Sequence, residues 1–268
     1  MSFPKAKKIK IQRYEGGLSK LSGISNPIKL SSNESALGCS PLAIKALDSV
    51  KKKICKYPDT NTSLLKNKIS QQFNLNTNRL IVGSGSDEVI SFACQAFLKP
   101  GDEVVVSEFA FLMYRIYSQI NGAKVVRAKE NNFKTNINAI LNCISKKTKI
   151  VFLANPNNPT GSYLSKNELR TLHKKLPTRV LLLVDDAYCE YVEQKDYSSG
   201  LDIFKRAKNV LVTRTFSKVY GLASLRLGWG YASEAIIASL LKYVLSPHLG
   251  WHNLRDRVCA GWKCLKVV

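Results

Sequence analysis

Short apolar runs alternate with amphipathic segments from about residue 80 of the 268-residue chain onward. Each run is mostly apolar and is bounded by turn-forming residues, a pattern typical of strands that are buried on both faces. The predicted strands are Leu80–Val82, Glu103–Val106, Lys124–Val126, Ile150–Ala154, Val180–Val184, Asn209–Val212 and Leu225–Gly230. The segments between them repeat apolar residues at helical spacing. The predicted helices are Asp87–Leu98, Phe111–Ile120, Ile137–Ile144, Ser165–Lys174 and Ser233–Val244.

This alternation predicts an α/β fold, a three-layer α/β/α sandwich around a mostly parallel seven-stranded sheet. Two helical patterns precede the first strand: one starts at Pro41 with Ser40 as its N-cap, and the other covers Leu64–Phe73. Residues 1–35 show no regular period and are predicted to form an N-terminal arm. Residues 36–246 would then make up one large domain, and residues 247–268 an atypical tail.

Polar motifs follow four of the predicted strands, at the edge where open parallel sheets bind ligands. They are Gly83–Asp87, Asn155–Gly161, Asp185 and Thr213–Lys218. The first motif places Gly85, Ser86 and Asp87 at a helix N-terminus, where free backbone N–H groups suit a phosphate. Taken alone, the motif fits a plain tight turn at least as well as a phosphate site, because it is neither a P-loop nor a full GxGxxG sequence.

The segment Asn157–Gly161 predicts a rigid turn after a buried strand. Pro156 just before it and Pro159 within it fix φ, and Gly161 permits a positive φ. Turn formation alone could explain these residues. The turn would also hold the Asn158 amide still, so that it can bond to a ligand oxygen, and this is the interpretation that the sequence favours.

Asp185 ends an apolar strand, where a carboxylate is costly unless it is paired. It could cap a helix or pair with an arginine. It could also face the protonated nitrogen of a heterocycle and so make the ring an electron sink. Tyr188, three residues further on, could reach the same ligand or pack in the core with its hydroxyl at the rim.

Lys218 ends the run Arg214–Lys218 and is followed eight residues later by Arg226. Most lysines are solvated, but Thr215, Ser217 and Arg226 supply phosphate donors here, and a cationic or apolar neighbourhood lowers a lysine pKa. Arginine suits a phosphate because its planar fork binds two oxygens at once. A reactive amine, an anion site and a buried acid are together what pyridoxal 5'-phosphate requires.

These residues resemble those of the fold type I pyridoxal-phosphate aminotransferases, and within that group the histidinol-phosphate aminotransferases. The resemblance runs from about Tyr14 to Ser246. The motifs that carry it are Leu30–Glu34, Tyr57–Asp59, Gly83–Glu88, Asn155–Gly161, Asp185–Tyr188 and Arg214–Arg226. It implies transfer of an amino group between glutamate and imidazole-acetol phosphate in histidine biosynthesis. Aromatic or other amino acids are alternative substrates within the family.

The resemblance also implies roles for the residues around the cofactor ring. Lys218 would hold the cofactor covalently and then move a proton. Asp185 would face the pyridinium nitrogen, and Asn158 and Tyr188 would bond to the phenolic oxygen. Phe111 would stack on the ring.

Further roles concern the phosphate and the substrate. The residues implied for the cofactor phosphate are Gly85, Ser86, Asp87, Thr215, Ser217 and Arg226. Tyr57 would reach the phosphate bound by the neighbouring subunit, which implies a homodimer. Tyr14 and Asn33 would face the amino-acid or keto-acid substrate, and Asp186 is given no role.

The family pattern stops after Ser246. Family members continue into a second, smaller domain, which carries the arginine that binds the substrate α-carboxylate. A truncated or frame-shifted tail is therefore expected, with poor turnover of substrate or a fragment that only holds the cofactor. The tail also contains possible zinc ligands, but their spacing matches no standard finger, so no metal site is expected. These residues are His248, His252, Cys259 and Cys264.

The chain is strongly basic, with 41 Lys and Arg against 19 Asp and Glu and a net charge of +22. Nucleic-acid binding is one explanation. Solvated lysines on helix faces are the favoured one, because the basic residues are spread along the chain without interleaved aromatic residues. Seven scattered cysteines fit a reducing compartment, and neither a membrane-spanning run nor a secretory signal is present. A cytoplasmic protein without nucleic-acid or membrane partners is expected.

Overall fold

The computed structural model describes residues 11, 16–18, 22–48, 55, 57 and 59–244 of the chain. Within them, one sheet contains the strands β1 (Leu80–Ser84), β2 (Glu103–Ser107), β3 (Lys124–Ala128), β4 (Thr148–Ala154), β5 (Leu181–Asp185), β6 (Val210–Thr215) and β7 (Leu227–Tyr231). The helices are α1 (Pro41–Asp48), α2 (Ser63–Phe73), α3 (Ser86–Phe97), α4 (Leu112–Ile120), α5 (Ile137–Asn142), α6 (Lys166–Lys175), α7 (Gly200–Phe204) and α8 (Glu234–Leu241). Short 3-10 turns lie at Thr77–Arg79, Cys189–Tyr191 and Ala223–Leu225.

The seven strands are arranged in the order β1-β7-β6-β5-β4-β2-β3. Neighbouring strands from β3 to β6 are parallel, whereas β7 is antiparallel to both β1 and β6. The predicted mostly parallel, seven-stranded sheet is therefore confirmed. Because β7 runs against the other strands, it begins at the edge of the sheet where they end.

The sheet buries apolar side chains on both of its faces. Successive residues of a strand point to opposite sides. Leu182 and Val184 of β5 therefore pack in a core with α1, α2, α5, α6 and α7, whereas Leu181 and Leu183 pack in a second core with α3, α4 and α8. Burying one such side chain fully is worth about 1.5–3 kcal/mol relative to exposure. Two helical layers on a central sheet form the predicted three-layer α/β/α sandwich.

Polar caps fix where the helices on one face begin. The hydroxyl of Ser165 accepts a hydrogen bond from the Glu168 N–H, and the Glu168 carboxylate accepts one from the Ser165 N–H, which satisfies two free donors at the start of α6. The sequence pattern does not predict α7, because five residues are too few to show a helical period. Its start is fixed by Ser199, whose hydroxyl accepts from the Asp202 N–H.

Two strand boundaries at the ligand edge differ from the predicted ones. The ladder of β6 continues to Thr215, so Thr213 and Arg214 are strand residues and not part of the following loop. The last predicted strand starts two residues late, at Leu227, because Leu225 ends a 3-10 turn and Arg226 has a φ of 47°. A residue in the left-handed region cannot continue the pleat, so Arg226 stays outside the strand.

Some predicted features lie outside the described residues. They are Tyr14 and the whole tail of residues 247–268, including the four possible zinc ligands. The described residues 25–40 of the arm and its junction form turns and irregular backbone ahead of α1. Among the helices of the described part, none combines the length and the hydropathy that crossing a bilayer requires.

Candidate functional site

A pocket of about 110 Å³ opens at the edge of the sheet where β1, β4, β5 and β6 end and β7 begins. This pocket is lined by eleven of the residues that the sequence predicts to bind a cofactor. They are Gly85, Ser86, Asp87, Phe111, Asn158, Asp185, Tyr188, Thr215, Ser217, Lys218 and Arg226. Tertiary structure thus brings together residues that are up to 141 positions apart (226 minus 85).

Lys218 is half-buried and points its amine into the pocket. Its Nζ lies 3.3 Å from the Ser32 carbonyl oxygen and 3.4 Å from that of Asn33. The same atom lies 5.5 Å from the centre of the Tyr188 ring. Burial lowers the pKa of Lys218, although the negative charge of Asp87 opposes this effect. A lower pKa increases the fraction of neutral amine, which is the nucleophilic form.

Asp185 is buried at the end of β5, where it forms one wall of the pocket. The Tyr114 hydroxyl donates to Asp185 Oδ2 at 2.8 Å, and the Thr213 hydroxyl donates to Oδ1 at 3.0 Å. Burial raises the pKa of Asp185 to about 6, and these two hydrogen bonds partly offset that rise. A carboxylate held in this way favours a cationic group as its ligand partner.

The start of α3 and Arg226 form an anion cradle in the same pocket. Arg226 Nη2 lies 3.5 Å from Asp87 Oδ2, and its Nη1 lies 3.5 Å from the Ser217 hydroxyl. Gly85 caps α3 with a φ of 78°, and the first N–H groups of a helix have no partner within the helix itself. The positive guanidinium and the helix N-terminus together suit a phosphate.

Two glycines allow the backbone of this cradle to pack closely. A Cβ atom on Gly85 would lie 2.7 Å from Arg226 Nη2, in addition to requiring an unfavourable positive φ. A Cβ atom on Gly228 of β7 would lie 2.3 Å from both the carbonyl carbon of Gly85 and the nitrogen of Ser86. Only glycine fits at these positions without displacing the cradle.

The predicted turn after β4 is present. The side chain that holds the turn by hydrogen bonds is that of Asn157, and not that of Asn158. The Asn157 side-chain amide donates to the Phe109 carbonyl at 3.2 Å and to the Thr160 hydroxyl at 2.9 Å. Gly161 has the expected positive φ, 70°, and its N–H donates to the Asn157 carbonyl. Asn157 therefore fixes the loop, while Asn158 lines the pocket.

Asn33 and Tyr188 connect the pocket with a second, more open cleft of about 390 Å³. The Asn33 amide donates to the Tyr188 hydroxyl at 3.1 Å, and Asn33 adopts a φ of 49°. Asn158 also lines both cavities, and Tyr163 and Tyr191 line the second one. A small molecule bound at Lys218 would therefore have room to extend past Asn33.

Tyr57 does not line the pocket; its side chain is 99% exposed. Its predicted contact is with a neighbouring subunit, so full exposure in a single chain leaves that prediction as it stands. Tyr14, the other tyrosine predicted at the substrate side, belongs to the residues that the structure does not describe.

A buried polar network beneath the pocket was not predicted. Arg214 forms an ion pair with Glu190, and its guanidinium lies over the rings of Phe73 and Trp229, 5.1 and 5.8 Å from their centres. The Tyr220 hydroxyl donates to Glu190 at 2.9 Å. An arginine shortly after the apolar run 210–212 is the sequence signal that could have revealed this network, because a charge buried there must be paired.

Asp186 and Tyr114 are two further residues whose positions the sequence does not reveal. Asp186 is fully buried and accepts hydrogen bonds from the N–H groups of Gly200 and Leu201 at the start of α7. Burial raises the pKa of Asp186 to about 7. Tyr114 lies three residues after Phe111, a helical spacing that places both side chains on one face.

Comparison with known proteins adds a family and several relatives. A family model described as aminotransferase class I and II matches residues 25–249. The histidinol-phosphate aminotransferase of Pelagibacter ubique (strain HTCC1062) is 55% identical over 240 residues, which are 90% of this chain and 67% of that protein. The histidinol-phosphate aminotransferase of Maricaulis maris (strain MCS10) is 45% identical over 234 residues, which are 87% of this chain and 65% of that protein.

A solved structure has the same fold. The crystal structure of histidinol-phosphate aminotransferase from Sinorhizobium meliloti in complex with pyridoxal-5'-phosphate superposes with a TM-score of 0.80 at 24% sequence identity. The match covers 86% of this chain and 63% of that chain. This chain therefore spans about two thirds of the length of the relatives that it matches.

Proposed function

We propose that this chain, which belongs to the class I and II aminotransferase family, holds pyridoxal 5'-phosphate in the pocket around Lys218. One observation carries the proposal: a half-buried amine, a buried carboxylate and an anion cradle line the same cavity. These groups match the aldehyde, the ring nitrogen and the phosphate of that cofactor. The glycines at positions 85 and 228 allow the backbone of the anion cradle to pack closely.

The pocket residues would divide the chemistry among them. Bound cofactor supplies an electron sink for the bonds at the substrate Cα. The Lys218 amine would hold the cofactor through its aldehyde carbon and would then move the proton at the substrate Cα. Asp185 would stabilise positive charge at the ring nitrogen. Asn158 and Tyr188 line the same cavity and would bond to the phenolic oxygen, while Phe111, also in the lining, would pack against the ring.

The phosphate would be held by groups from three segments. The backbone N–H groups of Ser86 and Asp87 belong to the first turn of α3. Ser217 and Thr215 contribute hydroxyls from the end of β6, and Arg226 contributes its guanidinium. Charge-assisted hydrogen bonds of this kind are about twice as strong as neutral ones, so the cradle accounts for much of the cofactor affinity.

The reaction that we propose is the transfer of the amino group of histidinol phosphate to 2-oxoglutarate, which yields imidazole-acetol phosphate and glutamate. Two relatives at 55% and 45% identity carry the name histidinol-phosphate aminotransferase, and they support this choice. Asn33 would face the substrate, since it lines the cleft next to the pocket. Tyr14 would approach the substrate from the arm. Aromatic amino acids are the alternative substrates.

A homodimer in the cytoplasm is the assembly and location that we propose. Exposure of nearly the whole Tyr57 side chain supports a contact with a second subunit, whose cofactor phosphate it would reach. The described cysteines are free thiols, which suits a reducing compartment. Amino-acid and keto-acid substrates are the small-molecule partners that follow from the family.

An absorbance experiment tests the proposal. The purified chain mixed with pyridoxal 5'-phosphate should develop a visible band that sodium borohydride abolishes. Adding L-glutamate, L-histidinol phosphate or L-phenylalanine in separate reactions should convert the band, and the fastest conversion should occur with histidinol phosphate. Absence of any band would overturn the proposed cofactor. A band that no amino donor converts would show a chain that holds the cofactor without transferring an amino group.

A further inference from the structure

Tyr114 lines the pocket, and its ring is fixed by contacts on two sides. The residue is completely buried in the first turn of α4. Its ring stacks on Phe152 of β4, with centroids 5.0 Å apart and an interplanar angle of 9°. It also meets Phe111 edge-on, with centroids 5.6 Å apart. Such aromatic pairs restrict the ring to one orientation, so its hydroxyl has one direction in which to donate.

That hydroxyl is directed at the acid of the pocket. It donates to Asp185 Oδ2 at 2.8 Å, and the Thr213 hydroxyl from β6 donates to the other oxygen, Oδ1, at 3.0 Å. Each carboxylate oxygen is thus held by a donor from a different element. Burial and the neighbouring Asp185 charge raise the pKa of Tyr114 well above its ordinary value, so the phenol keeps its proton and remains a donor.

We infer that Tyr114 is a positioning residue, which orients the Asp185 carboxylate toward the ring nitrogen of the cofactor and keeps that carboxylate ionised. The inference rests on the proposed function, because it concerns the same site. Tyr114 also contacts Phe111, so one side chain fixes both the acid and the aromatic residue that faces the ring. Neither the motifs nor the family resemblance assigns Tyr114 a role.

Charged and titratable neighbours of Asp185 also influence its pKa, in addition to the hydrogen bond from Tyr114. The groups around Asp185 are Asp87 of α3, Tyr114 of α4, Asp186 and Tyr188 after β5, and Lys218 after β6. The negative charge of Asp87 raises the pKa of Asp185, whereas the hydrogen bond from Tyr114 is the largest influence that lowers it. Removing that donor should therefore raise the pKa of Asp185 further.

Tyr114→Phe removes the hydroxyl and keeps the ring, so it separates the hydrogen bond from the packing. Tyr117→Phe is the matched control, because Tyr117 is half-buried on the same helix and does not line the pocket. Two quantities are measured in each variant: the titration of Asp185 in the cofactor-free protein, by carbon NMR of labelled aspartate, and the dissociation constant of pyridoxal 5'-phosphate as a function of pH.

We expect Tyr114→Phe to move the Asp185 titration up by about one pH unit, as a lost hydrogen bond to a charged group does. Cofactor affinity should fall about tenfold near pH 6 and approach the wild-type value at higher pH, where Asp185 is ionised in both proteins. Site-specific fluorotyrosine at position 114 is a stronger donor of nearly the same shape and should shift the titration in the opposite direction. Tyr117→Phe should leave the titration unchanged.

Two outcomes would overturn the role of Tyr114. One is an unchanged Asp185 titration in both the phenylalanine and the fluorotyrosine proteins. The other is an affinity loss that is equal at every pH, which would indicate lost packing only. Wild-type protein that binds no cofactor would instead overturn the proposed function, and the titration of cofactor-free Asp185 would still decide whether Tyr114 acts on it.

Discussion

Arg214 of β6, which is buried, and Glu190 of the turn Cys189–Tyr191, which is half-buried, form an ion pair that joins two chain segments next to the pocket residues. Glu190 follows Tyr188 by two residues, and Arg214 precedes Lys218 by four. Tyr220, two residues beyond Lys218, also donates to Glu190. The network therefore fixes the aromatic ring and the amine of the pocket relative to each other, although none of its members touches the cavity.

Replacing Arg214 by methionine should lower the free energy of unfolding by about 1–3 kcal/mol, because the half-buried Glu190 carboxylate loses its charged donor. Urea denaturation measures the change. The double variant Arg214→Met/Glu190→Met should recover much of the loss, since an apolar pair of similar volume replaces the ions. Arg170→Met is the control, because Arg170 is exposed on α6. Equal instability of the single and double variants would contradict the pairing.

Lys218→Ala should abolish the borohydride-sensitive visible band of the cofactor-loaded protein, because no other amine lines the pocket among the described residues. Pyridoxal 5'-phosphate should still bind, through the anion cradle, with weaker affinity. Absorbance spectra and equilibrium dialysis measure the two effects. Lys146→Ala, at an exposed position outside the pocket, should keep the band. A persistent band in Lys218→Ala would identify another lysine as the attachment point.

Arg226→Ala should weaken the binding of pyridoxal 5'-phosphate by about ten- to a hundredfold, since one hydrogen bond to a charged group contributes about 1.5–3 kcal/mol. Binding of pyridoxal, which lacks the phosphate, should change far less. The affinity of Arg226→Lys for pyridoxal 5'-phosphate should lie between those of the wild type and Arg226→Ala, because an ammonium is charged but cannot form the planar fork. Fluorescence titration provides the affinities, and Arg170→Ala is the control. An equal loss for pyridoxal and its phosphate would exclude Arg226 as the phosphate ligand.

The stability of the cofactor-free protein should depend on the protonation of Asp185. Burial raises its pKa from 3.8 to about 6. Because the folded-state pKa lies above the unfolded one, the stabilising contribution is complete below about pH 4 and is lost as the pH rises through about 6. A shift of about two units corresponds to about 3 kcal/mol. Asp185→Asn should therefore show a flatter decline of stability between pH 4 and 7, by urea denaturation at each pH.

The matched control for this experiment is Glu193→Gln, at an exposed acid outside the pocket. It should follow the wild-type dependence on pH. At pH 7.5 the cofactor-free Asp185→Asn protein should be more stable than the wild type, although it binds the cofactor less well. A variant with the wild-type slope would show that Asp185 titrates normally in the folded chain.

Gly228→Ala should destabilise the protein and distort the phosphate cradle at the same time. Its Cβ atom would lie 2.3 Å from two backbone atoms, of Gly85 and Ser86, and backbone cannot move aside as a side chain can. Overpacking of this kind costs about 1–3 kcal/mol. Thermal denaturation and phosphate binding measure the two effects. Gly16→Ala is the control, because a Cβ atom there meets nothing within 4 Å. Unchanged phosphate binding would show that the cradle tolerates a wider strand spacing.

The hydrophobic pattern is sufficient to predict most of the helices and strands, because apolar runs and helical periods are local properties of the chain. Each predicted strand is present, and α7 is the helix that the pattern missed, since five residues give no period. The placement of Gly85, Asp185 and Lys218 near one another also followed from sequence, because the carboxyl ends of parallel strands share one edge of a sheet. In the folded chain, all three residues line the same pocket.

The sequence by itself determined the α/β class, the family motifs and the chemical identity of the reactive groups, since these depend on residue type and local spacing. Tertiary structure decided which residues support those groups. The antiparallel direction of β7 brings Arg226 to the ligand edge, and the packing of α4 on β4 directs Tyr114 at Asp185. Strand direction and cross-layer contacts arise from distant parts of the chain, so no local pattern in one sequence encodes them.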